Sequence, residues 1–296
     1  MPNYFQNLIH DFLTSHQSKA AAGTIKNYHY YLNRLHQWGN FNHPKELTPA
    51  RIEAFRQHLQ NSRNAKGELI KASTQNYHLI ALRSFLKFLN NRGVSFTKLD
   101  HVKLNKTQHH TLALPGKAAL EQLLASPLQT KNPGIIQKRD KAILELIITT
   151  GLKVAEVAEL KKNQINFFDN KITVKISPNK LRTVPLTNQT KIWLKQYLDM
   201  RKDLIPALFV RHDKAKQKQL TSVAKDDYRL TPRTIQRIIK KYTKSAELDP
   251  SITPETLRHA YANQLYDRGH NLKSIQSALG HASASTTKLF VKPKEN

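Results

Sequence analysis

The sequence predicts a mainly α, two-domain protein whose second domain carries one small antiparallel β-sheet. Three observations predict it: apolar residues recur at helical spacing along most of the chain, strand-like alternation is confined to residues 164–184, and residues 94–114 lose periodicity while gaining polar and basic side chains. A chain of 296 residues also suits two cores better than one. The expected division is a helical domain at 1–93, a linker at 94–114 and a larger domain at 115–296.

In the first domain Phe5, Leu8, Ile9 and Phe12 share one face of a helix from Tyr4 to about Ser15. Thr24 is a candidate N-cap for a second helix carrying Tyr28, Tyr31, Leu32, Leu35 and Trp38. Thr48-Pro49 opens a third, since proline at the first helical position gives up only an N–H that would have no partner anyway. Ser73-Thr74 opens a fourth, whose Leu79, Leu82, Phe85, Leu86 and Leu89 face inward until Gly93 ends it.

The second domain begins near Pro115, at the first turn of a helix to about Ser126. A helix from Gln137 to Thr149 is so apolar between Ala142 and Ile148 that it is expected to be buried. Strands follow at Gln164–Phe168, Lys171–Ile176 and Leu181–Val184, separated by Asp169-Asn170 and Ser177-Pro178-Asn179. A helix from Lys191 to Arg201, a short apolar run from Leu208 to Val210 and a polar loop at 211–229 come next. Thr231-Pro232 starts a helix with Ile235, Ile238 and Ile239 on one side and Arg233, Arg237, Lys240, Lys241 and Lys244 on the other. Thr253 and Pro254 cap and start a helix through Leu257, Tyr261 and Leu265 to Gly269. Asn271 to Leu279 forms another, Gly280-His281 turns the chain, and Ser285-Thr286-Thr287 caps a last short helix carrying Phe290.

Charge narrows the function classes. The chain has 48 Lys+Arg against 21 Asp+Glu, for a net charge of +27. Up to His110 there are 15 basic and 5 acidic residues, and beyond it 33 and 16, so both parts are expected to touch a polyanion. A membrane surface fits less well, because no helix joins a basic face to an exposed aromatic one, and no apolar run has the length of a transmembrane or secretory segment. A cytoplasmic, nucleoid-associated location is expected. With no cysteine, disulfides, thiolate metal sites and a Cys nucleophile are excluded. The 14 histidines show no ligand spacing apart from His109-His110, so neither metal nor other cofactor is expected.

The run from Thr253 to Phe290, TPETLRHAYANQLYDRGHNLKSIQSALGHASASTTKLF, resembles the C-terminal motif of the tyrosine recombinases of phage-integrase and Xer type, which read H-x-L-R-H, then L-G-H, then S-T-T-x-x-Y. Thr149 to Leu160 is similar to the family's T-G-L-R-x-x-E-L, with Lys153 at its first arginine and Glu156 at the acid that follows. The resemblance implies a helical core-binding, SAM-like N-terminal domain and a catalytic-type C-terminal domain, closing on duplex DNA like a clamp. It places Arg258 at the family's second arginine, His281 at the L-G-H histidine, Glu255 at the first histidine, Ser177 at the hairpin lysine and Phe290 at the nucleophilic tyrosine.

In that family a tyrosine hydroxyl attacks the scissile phosphate, two arginines hold the transition state, histidines assist with protons and a lysine protonates the departing 5' oxygen. Each role depends on residue type. Lysine at 153 offers a point charge where arginine offers a planar fork, and Glu255, three residues before Arg258, is expected to pair with that guanidinium. Phe290 has no oxygen with which to form a covalent intermediate. Tyr261 shares the inward stripe with Leu265 and reads as core; Tyr242 and Tyr266 are the other tyrosines nearby. Phosphate-binding candidates are Arg258, His281 and Lys153. Candidates for DNA contact are Lys71, Ser73, Thr74, Asn76, His78, Arg83 and Lys87 on the fourth helix, Lys175, Lys180 and Arg182 on the hairpin, and Arg233, Arg237 and Lys241 further on. Lys175 or Lys180 could stand in for the missing hairpin lysine if the turn at Pro178 is remodelled.

The expected function is binding of double-stranded DNA without cleavage and rejoining, with an active recombinase as a possible further partner. A site-specific recombinase with a rearranged site or a substituted nucleophile is the alternative, and a nucleoid-structuring or repressor-like binder the second. Only VKPKEN follows Phe290, where family members carry a segment that docks into a neighbour, so a monomer is expected without DNA.

Overall fold

The computed structural model describes residues 3–18, 20, 22–94, 99–107, 113–177, 180–212 and 228–291. It divides into two units, residues 1–110 and 111–296.

In the first unit Asn3 builds a capping box with Gln6 and starts α1, Tyr4–His16, which buries Phe5, Leu8, Ile9, Phe12 and Leu13. The second helix, α2, Ala22–Gly39, begins earlier than its hydroxyl suggested, so Thr24 lies in its first turn and does not cap it. Thr48 does cap α3, Pro49–Gln60, by accepting from the Arg51 amide. The fourth helix, α4, Ala72–Asn91, takes Lys71 as an N-cap with no side-chain bond; Ser73 and Thr74 sit inside its first turn. Its inward row of Leu79, Leu82, Phe85, Leu86 and Leu89 closes a core with α1 to α3. The chain then returns across this core. Val102 is fully buried in it, and the Asn105 amide donates to Asn76 Oδ1 at 2.8 Å while the Asn105 carbonyl accepts from Asn76 Nδ2 at 2.9 Å. These residues, expected in the linker, therefore belong to the first unit; His109 and His110 lie outside the described residues.

The second unit is built around α6, Ile135–Thr150, whose apolar run is buried all round as the composition demanded. Before it comes α5, Lys117–Ala125, with Pro115 ahead of the helix and Gly116 at its N-cap. After it come α7, Val154–Glu159, and a three-stranded antiparallel sheet of β1, Ile165–Asn166, β2, Lys171–Ser177, and β3, Lys180–Pro185, in the order β1-β2-β3. The remaining helices are α8, Asn188–Asp199, α9, Pro232–Ser245, α10, Pro254–Asp267, α11, Leu272–Leu279, and α12, Ala284–Phe290. Thr231, Thr253 and Asn271 cap α9, α10 and α11 as their sequence positions suggest, whereas α12 is capped by Ser283. Most of the polar loop at 211–229 and the tail from 292 lie outside the described residues. Among the described residues no helix is long and apolar enough to cross a membrane, and no cluster of His, Asp and Glu could hold a metal ion.

Candidate functional site

Two glycines set the floor of the site. Gly151, with φ of +60°, ends α6 in the left-handed region, and a Cβ there would meet Tyr261 Cδ1 at 2.5 Å and Leu279 Cδ2 at 3.0 Å. Gly280, with φ of +66°, ends α11 in the same way, and a Cβ there would collide with the Arg182 guanidinium. The two tight turns let α6, α10, α11 and β3 converge on one small volume.

Arg258 lies at its centre, only 1% exposed. Its Nη1 donates to the Gly151 carbonyl and its Nη2 to the Leu279 carbonyl at 2.7 Å, so it ties the ends of α6 and α11 to α10. In this structure the phosphate-binding candidate Arg258 is shielded from solvent and serves as a strut through its two Nη groups, while its buried Nε has no hydrogen-bond partner. Burial pulls its pKa below the usual arginine value, opposed by the charges of Glu156 and Glu255. Glu255 itself is exposed and makes no ion pair among the described residues, so it reaches Arg258 through its field and not through the expected contact.

Arg182, a candidate for DNA contact, is buried and paired within the protein in this structure. The pleat puts it on the same face as Val184, and it is 8% exposed. Its Nη1 and Nη2 donate to the two Glu156 carboxylate oxygens at 2.8 Å each, a bidentate pair that satisfies the acid following Lys153. The same acid also accepts from the Lys153 amide at 2.9 Å, which leaves the Lys153 ammonium exposed at the start of α7. Lys175 and Lys180 are exposed on the hairpin, where the register shifts between Lys175 and Ser177; the Ser177 side chain, Pro178 and Asn179 lie outside the described residues.

Phe290 closes the site, 8% exposed. Its ring stacks on His259 at 3.5 Å and 16°, takes the edge of His281 at 4.6 Å and 70°, and lies 5.9 Å from the Arg258 guanidinium. Asn263 Nδ2 holds the turn by donating to the carbonyls of His259 at 2.8 Å and Phe290 at 2.6 Å. His281 Nδ1 shares a hydrogen bond with Thr287 Oγ1 at 3.0 Å, the hydroxyl being wholly buried. His259 and Thr287 line the candidate site and were passed over by the sequence reading. The L-R-H triplet was the signal for the first, and helical spacing from Phe290 for the second.

Both histidines are held neutral. Burial, then the charge of Arg258, pushes His259 down to about 4. Burial again leads for His281, followed by Arg258, Lys153, His259 and Arg182, and brings it down to about 4. Because an unfolded chain would protonate both at their ordinary value of 6.5, folding is favoured fully above that pH and loses this contribution as pH falls from 6.5 towards 4. His58 and His78 in the first unit are lowered in the same sense, by burial foremost. The expected outcome is a lower urea midpoint at about pH 5 than at about pH 7.5, by circular dichroism; equal midpoints would show that these rings are solvated.

Tyr261 and Tyr242 offer no replacement for the missing hydroxyl. Tyr261 is buried against Ile275 and Leu279, as its stripe suggested. Tyr242 is buried and its hydroxyl donates to Asp140 Oδ2 at 3.0 Å; burial and that carboxylate push its pKa well above the usual phenol value. Of the other candidates, Lys71, Ser73, Arg83 and Lys87 are exposed on α4, and Arg233, Arg237, Lys240, Lys241 and Lys244 on α9. Thr74 is half-buried and Asn76 is engaged by Asn105. His78 is 2% exposed and gives its Nδ1 to the Thr74 carbonyl at 3.0 Å.

The phage integrase family profile matches residues 117–296, and a profile for the N-terminal SAM-like domain of phage integrases matches residues 8–95. Tyrosine recombinase XerD of Lacticaseibacillus casei is 33% identical over 243 residues, covering 81% of this chain and 76% of that protein. Tyrosine recombinase XerA of Pyrococcus furiosus is 32% identical over 275 residues, covering 92% and 84%. Among solved structures, the Tn1549 transposon integrase with a circular intermediate DNA superposes with a TM-score of 0.72 at 17% identity, over 99% of this chain and 96% of that one. XerH bound to its difH substrate in a pre-cleavage complex gives 0.71 at 18% identity, over 100% and 95%. Profiles on both units, full-length relatives and a shared fold agree: the chain belongs to the phage integrase family of tyrosine recombinases.

Proposed function

We propose that the protein binds double-stranded DNA through the recombinase fold and does not cut it. The observation that carries this reading is Phe290, a ring without an oxygen at the position of the nucleophile, packed between His259 and His281. Around it, Arg258 is committed to two carbonyls and Arg182 to Glu156, which leaves exposed Lys153 and half-exposed His281 as the groups free to meet a phosphate. Support for DNA as the ligand comes from the charge of +27 and from relatives and structural neighbours that are recombinases, some solved with DNA. The exposed cations of α4 and of α9 supply a basic surface on each unit separately.

The test has two parts. Purified protein mixed with sheared genomic DNA should retain duplex fragments whose sequencing reveals any preferred site. Incubated with a nicked suicide duplex built on that site, it should give no covalent adduct on a denaturing gel. Failure to retain duplex would sink the binding reading, and an adduct with the unaltered protein would make it an active recombinase with a rearranged nucleophile.

A further inference from the structure

Asp140 is a carboxylate in the core of the second unit that the candidate site does not use. It lies on α6, 1% exposed, beside Arg139 at 7% and Tyr242 of α9 at 4%. Its Oδ1 accepts from Arg139 Nε at 2.9 Å and Nη2 at 2.7 Å, and its Oδ2 accepts from the Tyr242 hydroxyl at 3.0 Å. The Arg139 Nη1 donates to the Val210 carbonyl at 3.0 Å. A buried carboxylate is tolerated when both its oxygens are bonded, and Tyr242 completes the set. The same bond orients the phenol: with its proton given to Asp140, the Tyr242 oxygen can only accept from a further partner.

That partner is Lys241. Its Nζ donates to the Tyr242 oxygen at 3.2 Å and lies 4.5 Å from the centre of the Tyr242 ring. Lys241 is exposed all the same, and an ammonium has three donors, so two remain for an anion in solvent. Its neighbours on the basic face of α9 are held by nothing comparable. Among the described residues the side chains of Arg237, Lys240 and Lys244 make no hydrogen bond, ion pair or ring contact. A long side chain that is seated before its ligand arrives loses less freedom on binding than a free one.

We infer that Tyr242 is a positioning residue for DNA: oriented by Asp140, it seats the Lys241 ammonium on α9 ready for a phosphate of the duplex. The inference rests on the duplex-binding reading and names the lysine of that surface which the core holds in place.

Fluorescence anisotropy with the full-length chain and a labelled duplex of about 30 base pairs, run across a salt series, tests it. Lys241→Met should reduce the salt slope by about one unit. Tyr242→Phe, which keeps the ring and loses the hydroxyl, should weaken duplex binding about twofold to tenfold, the effect of having to order one free lysine. In the Lys241→Met background the same change should do almost nothing, whereas in an Arg237→Met background it should have its full effect. Equal losses in all three backgrounds would show that Tyr242 merely holds α9 in place, and no loss in any would show that the seat is idle; either result overturns the inference. A second measurement needs no variant and decides the matter should Tyr242→Phe fail to fold. Under limiting reductive methylation of the unaltered protein, read by mass spectrometry, Lys241 should react more slowly than Lys240 and Lys244, and equal rates would overturn the seat. Absence of duplex binding by the unaltered protein would sink the duplex reading and this inference together; duplex binding with equal losses sinks this inference alone.

Discussion

Affinity for a preferred duplex should fall by about a thousandfold or more between about 50 and about 200 mM monovalent salt. The warrant is counterion release: each phosphate neutralised by Lys or Arg frees condensed cations, and a protein meeting about 6 to 10 phosphates multiplies that effect. Enough side chains are placed for it. Lys71, Arg83 and Lys87 on α4, and Arg233, Arg237, Lys240, Lys241 and Lys244 on α9, are exposed, and no salt bridge among the described residues occupies them. Screening alone, over distances of about 8 to 10 Å, would give a far shallower dependence than this. Filter binding across a salt series checks the slope. Flat affinity would mean that few phosphates are touched and that the charge serves another purpose. Reversing Arg237 and Lys241 to Glu together should reduce the slope by about two units, because two phosphate contacts are lost.

Phe290→Tyr alone should not restore DNA cleavage. The substitution supplies a hydroxyl, but the surroundings would not activate it. In place of the family's first arginine stands Lys153, which cannot grip two phosphate oxygens, and the second arginine, Arg258, would have to release the Gly151 and Leu279 carbonyls to reach a phosphate. Removing one electrostatic donor costs about a hundredfold to a thousandfold in rate. With Ser177 at the position the resemblance gives to the family lysine, and unless Lys175 or Lys180 stands in for it, the departing oxygen lacks its proton donor, which is worth about a hundredfold to ten-thousandfold more. These terms need not add, yet any one of them leaves turnover very slow. The measurement is covalent adduct formation by the Phe290→Tyr protein on a nicked suicide duplex, read on a denaturing gel. Efficient adduct would show that the substitutions at 153, 177 and 255 are tolerated and that Phe290 alone silences an otherwise working site.

Replacing the glutamate as well gives a graded version of the same experiment. Glu255 is exposed and its charge reaches Arg258, so Glu255→His removes a field that repels phosphate without touching the core. A gain in phosphate affinity from that change, with adduct still absent, would separate binding from chemistry within one site.

The sequence by itself determined the fold class, most of the helices and the family frame. Periodicity placed the inward rows of α1, α4 and α6, and Thr48, Thr231, Thr253 and Asn271 marked helix starts because a side-chain oxygen beside unpaired amides is a local feature. It also showed that Phe290 cannot be a nucleophile, since that follows from composition alone. Other assignments depended on partners far along the chain. Thr24, Ser73 and Thr74 were passed over as caps because packing of α2 and α4 extended both helices past them. Residues 99–105 look like linker until Val102 enters the core and Asn105 finds Asn76. Arg182 and Arg258 read as cations for DNA, and only the fold turns them inward. Arg182 finds a carboxylate 26 residues away, and Arg258 finds carbonyls 107 and 21 residues away. A buried guanidinium is costly without partners, and these two are satisfied at their Nη atoms but not at Nε; which partners the Nη atoms find is decided by which strand and helix ends the tertiary structure brings beside them.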